Sequence, residues 1–85
     1  MVDLPQTHEL KSWPKFFEAV LTGAKKSEVR RNDRGFALGD ALVLREWDPK
    51  TGDYTGRSVR RIVCHLSELD EIGIPGFVLL CLRRE

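Results

Sequence analysis

Five basic and two acidic residues crowd into the twelve positions GAKKSEVRRNDR, Gly23 to Arg34. Lysine meets phosphate as a point charge, whereas arginine grips a phosphate or a base edge in a two-pronged fork. Lys25 and Arg30 would bring such donors to the mouth of a groove. Glu28, between them, repels phosphate, but a carboxylate accepts a hydrogen bond from an exocyclic amine such as cytosine N4. The set therefore suits a site in which cations hold a backbone while one acid inspects a base. A solvated ion-pair network, worth under ~1 kcal/mol per pair, is the competing explanation.

Other charges could extend such a site. Lys26, Arg31 and Arg34 form a rim that adds non-specific phosphate attraction, or serve singly as surface charge. Arg57, Arg60 and Arg61 make a second basic group, with no acidic residue between Tyr54 and Ser67. If both groups share a face, they form a phosphate track. Trp47 and Tyr54, beside a hairpin loop, are either stacking platforms for unpaired bases or an apolar cap on the hairpin. His8 and His65 stand at no metal-ligand spacing with each other or with Cys64 and Cys81, so no metal is predicted. The two cysteines read as buried thiols on strands. Neither a Ser/His/Asp or Cys/His nucleophile set nor a phosphate-cradling glycine loop is present, and no cofactor is predicted.

The elements that must position these groups follow from periodicity. THELK alternates, with His8 and Leu10 on one side and Glu9 and Lys11 on the other, as in a short strand. SWPKFFEAVLTG reads as an amphipathic helix with Ser12 as its cap and Pro14 in the first turn. Its apolar face is Trp13, Phe17, Val20 and Leu21, which packs Trp13 into the core, and Gly23 ends it. AKKSEVRR is extended again. Strict alternation puts Lys26, Glu28 and Arg30 on one face and Lys25 on the other, so the three key groups converge only if the strand begins after Lys25 or is bulged.

NDRG breaks this strand before Phe36, a core residue, and LGD turns into ALVLREW, with Leu42, Leu44 and Glu46 on one face. DPKTGDYTG is a turn-rich connection to SVRRIVCHL, where Ile62, Cys64 and Leu66 oppose Val59, Arg61, Val63 and His65. SELDEIGIPG is a loop or a single helical turn with Ser67 as N-cap. FVLLCL, apolar on both faces, is expected to be the most buried strand, central in the sheet.

The β-α-β-β-β-β order predicts an α+β fold: a small, partly open β-barrel of about five strands with one N-terminal amphipathic helix. At 85 residues the chain suits a single domain over residues 1–85, since short chains rarely divide. Fourteen basic against thirteen acidic side chains leave a net charge of +1. The global basic field of many nucleic-acid binders is thus missing, and any phosphate affinity must be local and salt-sensitive. MVDLPQTHEL does not resemble a secretory signal, and IGIPGFVLLCL has about half the ~20 apolar residues a membrane helix needs. A cytoplasmic setting, away from membranes, is predicted.

Gly23-x-Lys25-x-x-Glu28-x-Arg30 resembles the G-x-K-x-x-E-x-R signature of the ASCH family, a branch of the PUA-like β-barrel superfamily. The resemblance extends over nearly the whole chain: the HELKxWPxFF-type opening, the helix ending in TG, the NDR loop, the GD turn, the REWDPxTGxYTGR hairpin and the final apolar strand. It implies a PUA-like barrel with a cleft between barrel and helix, into which the signature residues and Lys11 point. Relatives in that superfamily bind RNA or hold a base in a pocket, which makes RNA or another single-stranded nucleic acid, through a nucleotide or modified base, the implied partner. Lys11, Lys25, Glu28, Arg30, Arg31, Arg34, Arg57 and Arg61 are the candidate contacts. Some ASCH relatives are amidohydrolases of acylated cytidine, and others are reported to cut RNA. In the amidohydrolase type a threonine nucleophile lies three positions after the lysine; Glu28 stands there in this chain. The alternative is therefore a small hydrolase of a modified nucleoside or of RNA, in which Lys25 accepts a proton and Glu28 acts as general base toward water.

Overall fold

Alternating apolar side chains set the inner face of one curled sheet in the computed structural model, which describes residues 4–85. The strands are β1 (Thr7–Ser12), β2 (Ser27–Arg31), β3 (Ala41–Asp48), β4 (Asp53–Glu68) and β5 (Phe77–Arg83). Their order across the sheet is β1-β3-β4-β5-β2. β1 runs parallel to β3, and every other neighbouring pair is antiparallel. The result is the α+β, partly open barrel that the sequence predicts, with β1 and β2 as its two edges. One helix, α1 (Pro14–Thr22), carries the chain from the first edge to the other.

β1 buries His8, Leu10 and Ser12 and exposes the residues between them. β3 likewise buries Leu42, Leu44 and Glu46. α1 adds Phe17 and Val20, and with Leu42, Leu44, Val63, Val78 and Leu80 these form the fully buried centre. Phe36 joins this core as expected. His8 donates to Asp40 across 2.8 Å inside the protein. Burial pushes the Asp40 carboxyl up, but hydrogen bonds from the Gln6 N–H, His8 and the Ala37 N–H outweigh it and hold it below its usual range.

The helix departs from its predicted boundaries. Ser12 does not cap it: Ser12 completes β1, and Trp13 holds the cap position without a side-chain bond. Trp13 is also half exposed, not core. A residue before proline is driven to extended backbone, so Trp13 (φ −68°, ψ 150°) stands outside the helical stripe to which its spacing assigns it. Leu21 lies at the margin of that stripe and is partly exposed. Gly23 does close the helix, at φ 87°, with its N–H on the Val20 carbonyl.

β4 departs in its alternation. Val63 pairs with Leu82 and His65 with Cys81, so Cys64 is the extra residue of a bulge. That bulge turns Cys64 outward, against the expected burial, while Cys81 is partly buried. Ile62 and Val63, neighbours assigned to opposite faces, are both buried as a consequence. The hairpin loop is also tighter than predicted: residues 49–52 connect the strands, and Tyr54 already pairs with Trp47. β5 is not the middle strand. It lies between β4 and β2, buried on one face and partly buried on the other. Leu69–Ile72 forms a single 3-10 turn, and Ser67 does not cap it but remains in β4, bonded to His65. Among the described residues no helix is long and apolar enough to cross a membrane.

Candidate functional site

The position at which β2 begins decides whether the signature side chains meet. Lys25 still belongs to the helix exit, its N–H on the Ala19 carbonyl, and the strand starts two residues later at Ser27. Freed from strand alternation, Lys25 brings Nζ to 2.7 Å from Glu28 Oε1. The same ammonium donates to the Ser27 carbonyl. From the other side Arg30 Nε donates to Glu28 Oε2 at 3.2 Å. Glu28 is therefore a buried carboxylate, its side chain 8% exposed, with one cation on each oxygen. Burying a charge is costly unless it is paired in this way.

β2 inverts the usual arrangement of a half-buried strand. It turns the acid Glu28 inward and leaves the apolar Val29 more than half exposed. Such an inversion is the informative departure from burial rules. The inward acid forms the floor of a cleft of about 660 Å³ between β1, the start of α1 and β2. Trp13 and Phe16, both about half exposed, make one apolar wall; Val29 lies on the other side. Ser12 also lines the cleft, and its buried Oγ bonds to no protein group among the described residues. Every lining residue falls between Lys11 and Arg30, in one continuous stretch.

Lys11 borders the cleft with its ammonium 4.5 Å from the centre of the Trp47 ring. Arg30 spans the open side of the barrel, donating through Nη2 to the Lys11 carbonyl at 2.8 Å. Arg34 repeats this at the Glu9 carbonyl, 3.1 Å away. Arg31 lies outside the cleft, over Phe77. Trp47 and Tyr54 each carry a cation on a ring face, Lys11 and Arg45 respectively.

In the second basic group Arg57 and Arg60 do not extend the cleft as a phosphate track. Arg57 is held by both oxygens of Glu46, each at 2.9 Å, and by Glu18. Arg60 pairs with Glu85. Arg57 holds the Glu46 carboxyl down at about 2, helped by the Thr55 hydroxyl, and is itself pushed further up by the two carboxylates. A single strand conceals this, because the partners come from β3, α1 and the end of the chain. Arg61 points to the far side of Lys25, donating to the Val20 carbonyl.

Ser12, Trp13, Phe16 and Val29 are cleft residues that the motif does not contain. Trp13 carries a readable signal in the sequence: the proline after it takes it off the helical face.

Fold and site together define a small curled-sheet protein with one polar-floored, aromatic-walled cleft. Residues 7–81 match the family described as a domain of unknown function, DUF3850, and the chain belongs to that family. It is similar to an uncharacterised 12.9 kDa protein in the GpA 3′ region of Escherichia phage P2. The two are 36% identical over 77 residues, which cover 91% of this chain and 68% of the phage protein.

Proposed function

We propose that this protein binds single-stranded nucleic acid, RNA foremost, and captures one nucleotide or modified base in the cleft. The observation that carries the reading is Glu28, a buried acid with a cation on each oxygen and an open aromatic wall beside it. A carboxylate has roughly four acceptor positions, so Lys25 and Arg30 leave room for an exocyclic amine. The buried Ser12 hydroxyl would gain a partner from the same base edge. Trp13 and Phe16 offer the stacking surface. Lys11, Lys25 and Arg30 supply local phosphate attraction that the net charge of +1 does not. The resemblance of the G-x-K-x-x-E-x-R stretch to the ASCH family, and through it to PUA-like barrels, supports the same assignment. The setting is the cytoplasm, and the binding calls on neither membrane nor metal.

Titration of short single-stranded RNAs at low and moderate salt tests this. Trp13→Ala is expected to weaken binding by ~1–3 kcal/mol through lost stacking. Glu28→Gln is expected to erase any preference for amine-bearing bases. If neither Glu28→Gln nor Arg30→Ala alters affinity or preference, the reading fails.

Hydrolysis of a modified nucleoside or of RNA is the second reading, favoured by the direct Lys25–Glu28 contact at 2.7 Å, which puts a proton acceptor and a general base for water side by side. Against it, both Glu28 oxygens already accept hydrogen bonds from Lys25 and Arg30. Turnover of acylated cytidine or RNA, abolished by both Lys25→Ala and Glu28→Ala, would decide for the enzyme.

A further inference from the structure

Lys25 lines not only the cleft but also a second hollow, of about 470 Å³, on its other side. This hollow lies where the C-terminal end of α1 meets the last residues of the chain. Lys26, Arg61, Arg83 and Arg84 line it, and no carboxylate does. None of these four joins an ion pair among the described residues, whereas Arg57 and Arg60 on the same hairpin both do. Like charges gathered without a counter-charge repel each other, so the arrangement costs free energy until an anion arrives.

Arg61 shows that cost. It is partly buried and donates only to main-chain oxygens, of Val20 at 3.3 Å and Arg60 at 2.8 Å. Burial, and then the charge of Arg84, push it below its ordinary value. Gly23 lines the helix side of the hollow, beside Arg84. The C-terminal end of a helix repels anions through its free carbonyls. Here two of those carbonyls are occupied: Ala19 accepts from the Lys25 N–H, and Val20 from the Gly23 N–H and Arg61.

We infer that this second hollow binds the phosphate groups of the strand whose base lies in the cleft, with Lys26, Arg61 and Arg84 as ligands. Lys25 is the shared partition, so base and backbone are read on its two sides. The assignment to a strand rests on the nucleic-acid reading above; the phosphate chemistry rests on the hollow alone.

Two titrations separate the two. Inorganic pyrophosphate, monitored by backbone amide shifts of the wild type, is expected to move Thr22, Gly23, Lys26 and Arg84 and to leave Val29 still. Cytidine, which lacks phosphate, is expected to move Glu28 and Val29 instead. In Lys26→Ala/Arg84→Ala, which removes only exposed side chains, the pyrophosphate response is lost and the cytidine response retained. The slope of log K against log salt for a short RNA should shallow by ~1.4 in that variant, corresponding to about two phosphates. Silence to pyrophosphate, or an unchanged slope, overturns the hollow whatever cytidine does. Silence to cytidine alone overturns the cleft reading and the strand assignment with it. Anionic phospholipid vesicles that displace RNA from the wild type as well as a second RNA does would also overturn the strand assignment.

Discussion

The Ser12 hydroxyl is buried and bonds to no other group of the described protein. Leaving a polar group so costs about 1–3 kcal/mol relative to a satisfied one. Alanine at this position removes the unsatisfied oxygen and little volume. Ser12→Ala should therefore be neutral or slightly stabilising in urea denaturation, by up to ~1 kcal/mol, and should weaken nucleotide binding in the same preparation. A stability loss with unchanged binding would place the hydroxyl among ordinary packing groups. Glu28 poses the complementary case. Its pairing with Lys25 and Arg30 could be suspected from the motif alone, but not established, because the residues GAKK do not reveal where strand pairing begins. The resolution lies in a single main-chain bond, Lys25 N–H to Ala19 carbonyl, which extends the helix exit past the point where alternation would have separated the lysine from the acid.

At the level of elements, the two sheet edges face each other without forming a ladder, and arginines substitute for it. Arg30 and Arg34 cap the Lys11 and Glu9 carbonyls of β1, two residues apart and so on the same side of the strand. Arg34 takes no part in the cleft floor. Arg34→Ala should therefore speed amide hydrogen exchange in β1 while leaving exchange in β3 and β4 near the wild-type rate. A second tie joins α1, β3 and β4 through Glu18, Arg57 and Glu46. Glu46 titrates at about 2 when folded, against an ordinary 4.5. Its folded value is depressed, so its contribution is complete above about 4.5 and disappears as the pH falls toward about 2. Urea unfolding from pH 6 to 2 should show that acid-side loss in the wild type and less of it in Glu46→Gln. These ties were hidden from linear reading, as was the Cys64 bulge: each is set by the strand opposite. The inward faces of β1 and β3, by contrast, were legible because every second residue had to meet the same core.

Across the whole molecule, the near balance of charge conceals an uneven distribution. Arg57 and Arg60 on the hairpin are neutralised at contact distance, while the cations around the helix exit stand beside one buried acid or none. The fold class was readable from element order, since one helix and five strands of these lengths have few ways to enclose a single core. The cleft was readable in its polar floor; in its aromatic wall only Pro14 gave a sign, for Trp13, because Trp and Phe are types that more often fill interiors. The cleft is furnished entirely by residues 11–30, whereas β3, β4 and β5 all come later in the chain. The same stretch also sends Phe17 and Val20 into the core, so the cleft lining is joined to the later strands through only a few buried side chains. Exchanging that twenty-residue cassette for the aligned portion of the phage P2 relative should yield a folded chimera that inherits the donor's ligand choice, read out by parallel RNA selections on both parents and the hybrid.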